Sequence, residues 1–244
     1  MLAEKFSIVF MNFGFLPLND EDKEKLQIVE KSSVFPSEVR AHVYLYEKCL
    51  SMCPLYPAMD GLKLLEVGCG QGGGIKWFSS AYPNLKKVQG IDRVVANSMG
   101  GKIVPGDATD IPLPDASFDL IVNVESSHLY SDKQKFFDEC ARVLVKGGHL
   151  CWVDVRFKDL VDETLEQARS AGLKRVAFAD ITAEALAGVA ETSRRYDALL
   201  EQAPWFVRLF RNSIRTTYCA PGTATYENYA TRRKVYVAAC WQKV

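Results

Sequence analysis

The chain has 244 residues, 48% of them apolar and 25% charged, which suits one sizeable domain with a substantial core. Thirty basic residues balance thirty acidic ones, so the basic excess of a nucleic-acid binder is missing and no nucleic-acid partner is expected. The seven cysteines are scattered and include no C-x-x-C pair, which argues against a zinc ribbon or a redox dithiol and for a reducing, cytoplasmic setting.

The start of the chain, Leu2 to Leu18, is fairly apolar but carries one lysine and is interrupted by Asn12 and Gly14, a weak match to a signal peptide. No stretch approaches the roughly 18 apolar residues of a membrane span, so no integral membrane segment is expected. Residues 37–53 place Val39, Val43, Leu45, Tyr46 and Leu50 at helical spacing. A regular alternation then begins. Leu62 to Val67 reads as a buried strand, Gly74 to Ala81 as a helix, Val88 to Ile91 as a second strand and Lys102 to Val104 as a short third. Leu120 to Val124 is apolar without interruption, as buried parallel strands are. Lys133 to Leu144 is a helix with Phe136, Phe137, Cys140, Val143 and Leu144 on one face, stopped by Gly147-Gly148. His149 to Val155, Leu173 to Phe178 and Val235 to Trp241 read as the last strands. Strands separated by helices imply βαβ units and a mostly parallel sheet. Between Ala183 and Arg232 the pattern is helical and aromatic, an inserted cap. From Thr192 onward nine basic residues face only Asp197, Glu201 and Glu227.

The strongest motif is Glu66-Val67-Gly68-Cys69-Gly70-Gln71-Gly72-Gly73-Gly74, a strand running into a glycine turn and then a helix. Glycines let a ligand approach the backbone, and the helix N-terminus offers free N–H groups. Dehydrogenases share such a turn, but Glu66 places a carboxylate where a pyrophosphate would be repelled and an ammonium or sulfonium favoured. Asp92, at the tip of the second strand, suits the two hydroxyls of a ribose. Asp107 and Ala108 follow the third strand, where a carboxylate and a backbone amide could hold an adenine. Asn123 to Tyr130 follows the fourth strand, and open α/β sheets bind ligands beyond these strand ends. His128 is therefore the candidate base. Asp154, ending the fifth strand next door, is placed to contact it, and Glu125 is a second group that could orient it. His42 and His149 have less claim, His149 reading as a strand-edge residue, and the three histidines do not form a metal-ligand pattern.

These motifs resemble the class I S-adenosylmethionine (SAM)-dependent methyltransferases, more narrowly the phthiotriolone/phenolphthiotriolone dimycocerosate-type and other small-molecule O-methyltransferases. The resemblance rests on Phe10 to Gly14, Arg40-Ala41-His42, Glu66 to Gly74, Asn123 to His128, Ala141 to Leu144 and Gly147-Gly148, with weaker similarity through Ala183 to Gly188. It implies a Rossmann-like sheet of seven strands, mostly parallel, with helices on both faces and a reversed last strand. It implies SAM as cofactor, with contacts at Glu66, Gly68, Gly70, Asp92, Asp107, Ala108 and Asn123. It also implies methyl transfer to a hydroxyl of a small or lipid-like acceptor, with His128 as base and Asp154 beside it. The expected layout is an N-terminal helical lid over residues 1–60, a SAM-binding core over 61–182, a cap over 183–232 and the last strand over 233–244.

One departure concerns Arg93 to Pro105, too short for the full helix and strand of the family, so either the helix shrinks to about a turn or the segment is truncated. Three rival readings remain: a nicotinamide-dependent dehydrogenase, which leaves Glu66 unexplained; an inert SAM-fold binding protein; and a methyltransferase with a carbon or nitrogen acceptor. In the cap, Trp205, Phe206, Leu209 and Phe210 would form an apolar stripe on a helix beginning near Pro204, with Arg208, Arg211 and Arg215 opposite. That stripe either packs on the sheet or lines an acceptor pocket, and its basic face could make peripheral contact with anionic lipid.

Overall fold

The computed structural model describes residues 9–244. Before the sheet come α1 (Asp20–Lys25), α2 (Gln27–Lys31) and α3 (Arg40–Ser51). Then follow β1 (Lys63–Val67), α4 (Gly73–Ala81), β2 (Lys87–Asp92), β3 (Ile103–Pro105), β4 (Phe118–Val124), α5 (Lys133–Val143), β5 (Leu144–Phe157), α6 (Val161–Ser170) and β6 (Leu173–Asp180). The cap comprises α7 (Thr182–Glu201), α8 (Trp205–Arg208), α9 (Arg211–Thr217) and α10 (Ala224–Ala230), and β7 (Lys234–Lys243) ends the chain. The seven strands form one sheet in the order β3-β2-β1-β4-β5-β7-β6. β1 to β5 are parallel, and β7 runs antiparallel between β5 and β6.

Side chains alternate across the sheet as the strand period requires. In β1, Leu65 and Val67 join one core with Phe136, Phe137 and Trp241, while Leu64 joins the other with α3 and Phe78. Glu66 shares the parity of Leu64 and so points toward α3, a consequence that matters at the site. Asp132 caps α5 by accepting from the Lys135 amide at 2.9 Å. Arg142 of this helix donates to the carbonyls of Ile111 and Leu113, and so pins the proline-rich run that leads into β4.

The expected elements are present, with three corrections. The helix at Lys133 stops at Val143, before Gly147-Gly148, because Leu144 is already extended and pairs with Phe118. Gly147, at positive φ, then lies inside β5 where the register moves on to Leu120 opposite His149. His149 is buried in that strand rather than set at an edge. Between β2 and β3 the chain forms bends and turns and no helix, so of the two alternatives for Arg93 to Pro105 the truncated segment is the one present.

The N-terminal segment is threaded into the fold. Phe15 donates its amide to Ala41 at 2.9 Å and Leu16 to Glu184 at 3.1 Å, and Phe10 and Phe15 are buried. This strap crosses α7 at Gly188, where a Cβ would lie 2.4 Å from the Phe15 amide nitrogen, so only glycine leaves room. Residues 1–8 of the expected lid lie outside the described residues. All seven cysteines are buried with free thiols, and Cys53, Cys151 and Cys240 gather within 4.8 Å, a grouping their spacing does not reveal. Among the described residues, no helix is long and apolar enough to cross a membrane.

Candidate active site

The order in which strands are added reverses between β1 and β4, since β1 feeds β2 on one side while the parallel β4 lies on the other. A crevice opens beyond the C-terminal ends of the strands at such a switch point. Here it is a cavity of about 530 Å³, lined by the glycine turn, Asp92, Ala108, Glu125, His128 and Tyr130, with Asn12 and Phe13 of the strap across it.

The glycine turn is held close to the loop after β4. At Gly68, whose φ is +74°, a Cβ would lie 2.5 Å from Ser126 Oγ and 2.6 Å from the Tyr130 hydroxyl. Asp92 accepts from the amides of Gly70 at 2.8 Å and Val94 at 3.0 Å, so its carboxylate stands at the cavity wall already tied to the turn. Ala108 lines the cavity, but Asp107 does not. Its carboxylate folds back onto the amide and hydroxyl of Thr109, both at 2.8 Å, with Arg93 at 3.7 Å. Asn123 is buried behind the wall, donating to the Val67 carbonyl and Ser126 Oγ at 2.8 Å, while its Oδ1 has no partner.

Glu66 is also behind the wall. Its carboxylate sits against Gly74 in the first turn of α4 and beside Tyr46, which does line the cavity. Neither oxygen makes a hydrogen bond of normal geometry. Burial pushes its pKa up to about 8, against smaller opposing pulls from Tyr46 and the Ile75 amide. A carboxyl buried without a matched donor is costly, so this group is poised for a positive partner.

His128 and Asp154 meet. His128 Nδ1 lies 2.6 Å from Asp154 Oδ1, and its backbone amide donates to Oδ2 at 2.9 Å. Asp154 is fully buried and also accepts from Ser127 Oγ at 2.5 Å and the Val155 amide at 2.7 Å, with the Arg156 guanidinium at 3.2 Å. Burial alone would lower the His128 pKa, but the hydrogen bond and charge of Asp154, with Glu125, outweigh it and hold the imidazole above its ordinary value. Burial alone would raise Asp154, and His128 and Arg156 reverse that, so its carboxyl stays ionised. With Nδ1–H donated to a carboxylate, the unprotonated nitrogen of the neutral ring is Nε2.

Glu125 lines the cavity at a φ of +48°, uncommon for a residue with a side chain. Its Oε2 accepts from the Phe13 amide at 2.8 Å and from the Tyr236 hydroxyl. Burial pushes its pKa up to about 8. It therefore ties the strap to the sheet rather than contacting His128 directly. His42 is tied to the same strap, its Nδ1 lying 3.1 Å from Asn12 Oδ1, and burial lowers its pKa to about 4.

A second cavity of about 520 Å³ adjoins the first, sharing Met11, Asn12, Phe13 and Thr217 with it. Its wall is mostly apolar, from Phe10, Leu199, Leu200, Val207 and Ile214. Sequence reading missed it, because it joins residues about 200 positions apart. Trp205 belongs to neither expected arrangement: it neither packs on the sheet nor lines a cavity, but stands in solvent. The expected long stripe is broken because α8 has four residues and Leu209-Phe210 turns the chain before α9.

Residues 65–152 match a methyltransferase domain model. A phthiotriol/phenolphthiotriol dimycocerosates methyltransferase of Mycobacterium leprae is 30% identical over 82% of this chain and 74% of its own length. The chain belongs to the class I SAM-dependent methyltransferases. A fatty-acid O-methyltransferase of Mycolicibacterium smegmatis is 29% identical to this methyltransferase over 97% of this chain and 84% of its own. Among solved structures, a geranyl diphosphate methyltransferase in complex with GPP and sinefungin superposes with a TM-score of 0.68 at 18% identity, covering 100% of this chain and 93% of that one. The shared fold is thus that of SAM enzymes, and SAM is the cofactor of this methyltransferase.

Proposed function

We propose that this methyltransferase transfers the methyl group to a hydroxyl oxygen of a lipid-like acceptor, with His128 as the base and Asp154 as its positioning residue. One observation carries the reading: a carboxylate-bound histidine faces a cavity that continues into an apolar one. SAM, when bound, supplies a methyl already electrophilic on its sulfonium. The chain's own work is then alignment and proton removal. With the methyl group supplied by SAM, the acceptor oxygen would take it, and the hydroxyl proton would go to His128 Nε2. Asp154 keeps the ring in the tautomer that leaves Nε2 free and stabilises the charge it gains.

The residues fit the cofactor. The Gly68–Gly70 turn keeps side chains out of the crevice, Asp92 suits ribose hydroxyls, and Ala108 presents backbone to a base. The unmatched carboxylate of Glu66 supports a cationic ligand nearby, acting from beneath the wall through Tyr46 rather than by direct exposure. The folded-back Asp107 leaves the adenine side to Ala108 and neighbouring backbone. Residues 1–60 and 183–232 would act as lid and cap, with the setting cytoplasmic. The named O-methyltransferase and lipid-modifying relatives support the acceptor class. Incubation with SAM and hydroxylated long-chain lipids tests the whole reading. An O-methyl ether identified by mass spectrometry supports it, whereas a methyl ester, methylation at carbon or nitrogen, or SAM binding without transfer overturns it.

Two substitutions test the parts. Glu66→Gln is expected to weaken SAM binding by about 1.5–3 kcal/mol, the scale of a charged interaction, and Asp92→Ala similarly. Without SAM the pH effect has the opposite sense. A carboxyl whose folded pKa is about 8 stabilises the fold below its unfolded value and loses that contribution as pH rises through 8. Glu66→Gln should therefore melt above the parent at pH 9 and lose that advantage in acid. Equal melting at both pH values, with unchanged titrations, would remove Glu66 from the site.

Ile214→Trp fills part of the apolar cavity without touching the glycine turn. It should raise KM for a long-chain acceptor about tenfold or more, the scale of losing a few buried methylenes. SAM affinity and turnover of a short acceptor should be kept. An unchanged long-chain KM would mean that the cavity holds no acceptor.

A further inference from the structure

We propose that the α8–α9 corner of the cap is a membrane-docking surface that seats the protein on an anionic bilayer. The proposal deepens the lipid-acceptor reading, and rests on it only for what the docking delivers. Trp205, Phe206, Leu209 and Phe210 are 72%, 55%, 72% and 66% exposed. Trp205 and Phe206 pack edge to face on each other and on nothing in the core. Isolated exposed apolar residues need no explanation, but four large ones within six positions form a patch that water alone does not favour.

Two features name the occupant. The first is continuity: Val207 of α8 and Ile214 of α9 face the apolar cavity while their neighbours face out, so the patch lies at the rim of that cavity. A bilayer is the partner whose interior a cavity of this kind can share. The second is charge. Between residues 191 and 215 five arginines oppose three acids. Arg211 pairs with Glu201 and Arg215 with Asp197, which steadies the corner, while Arg208 has no ion pair among the described residues. Aromatic side chains beside an unpaired arginine suit the headgroup boundary of a membrane, where rings sit at the interface and guanidinium meets phosphate. An acidic protein surface would use the arginine but not the aromatic cluster, and a second copy of this chain would bring a like-charged corner.

The protein carries its own reporter. Of four tryptophans, Trp77, Trp152 and Trp241 are 1% exposed, so a change in fluorescence on binding arises at Trp205. The full chain is mixed with vesicles of phosphatidylcholine alone or with added phosphatidylglycerol. Binding to the anionic vesicles, a blue shift lost in Trp205→Phe, and quenching by brominated acyl chains are expected. Trp205→Ser with Phe210→Ser should weaken partition about tenfold or more without lowering Tm, since both side chains are in solvent. Arg208→Gln should weaken it about fivefold, and only on anionic vesicles. No vesicle binding, or binding unaffected by these changes, overturns the proposal. So does a parent dimer, seen by sedimentation, that the double variant disperses. Methyl transfer to a detergent-dispersed acceptor is measured alongside. Transfer without vesicle binding retains the acceptor reading and discards docking, and vesicle binding without transfer does the reverse.

Discussion

Replacing His128 with alanine is expected to lower kcat about 10²–10⁴-fold, the usual worth of a positioned base, while SAM affinity measured by titration calorimetry changes little. An alcohol holds its proton tightly, so losing the acceptor of that proton falls on turnover. The pH profile adds a sign. Only the neutral ring accepts a proton, and Asp154 holds the His128 pKa above its ordinary value. The parent's kcat should therefore rise with pH through a midpoint above 6.5, a limb absent from the alanine variant. Asp154→Asn should move that limb to lower pH, because it removes the charge that raises the imidazole, and a merely structural aspartate would leave the midpoint in place. If SAM affinity collapses while turnover per bound SAM is preserved, His128 is part of the cofactor site and not the base. If neither changes, it is structural.

Much of this site is legible from sequence because its parts are short-range. The turn from Gly68 to Gly74 is contiguous, and Asp92 and Ala108 follow strand ends whose order the βαβ rule supplies. The His128–Asp154 contact is foreseeable for the same reason: His128 lies just beyond the end of β4, and Asp154 lies on the neighbouring parallel strand β5, one residue past its last pairing with β4, although β5 itself runs on to Phe157 rather than ending at Asp154. Glu66 is less simply read. The strand period puts it on the face of Leu64, toward α3, so its carboxylate lies behind the wall, and the motif alone does not show this. Asp107 illustrates local competition. An Asp two residues before a Thr can satisfy itself on that residue's amide and hydroxyl, and here it does so.

What could not be read depends on distant pairs. The apolar cavity joins the strap to α7, α8 and α9, and no local pattern announces that meeting. The apolar spacing around Trp205 fits a helix, but periodicity describes a face, not what covers it. The same spacing serves a buried stripe or an exposed one, and the break at Leu209-Phe210 decides for exposure. Arg156 was equally hidden. A basic residue two places beyond Asp154 reads as a strand-end charge, yet it is buried between Thr164, Ser127 and the Val155 carbonyl.

That burial makes Asp154→Ala the substitution with the largest expected cost in stability. Asp154 is the counter-charge for the buried Arg156 guanidinium at 3.2 Å and accepts from two backbone amides. Removing one member of a buried pair leaves the other charged and unmatched, which typically costs about 3–5 kcal/mol. For a chain of this length that is a fall of about 6–20 °C in Tm. Exposed pairs such as Arg169–Glu166 should move Tm far less, because water already solvates both partners. The pH dependence follows from the shifts of the pair. Asp154 is depressed, so its contribution holds above its unfolded pKa and is lost as pH falls through the folded value. His128 is raised, so its contribution is complete below its unfolded pKa and is lost as pH rises through the folded one. The parent's advantage over Asp154→Ala should therefore peak in mildly acid solution, between the two, and shrink on either side. Adding Arg156→Met to Asp154→Ala removes the stranded cation and should recover part of the lost Tm, which a loss of packing alone would not allow. A Tm for Asp154→Ala within about 2 °C of the parent, less than 1 kcal/mol for this chain length, would mean that water reaches Arg156 and that the pair does not hold the end of β5 in place.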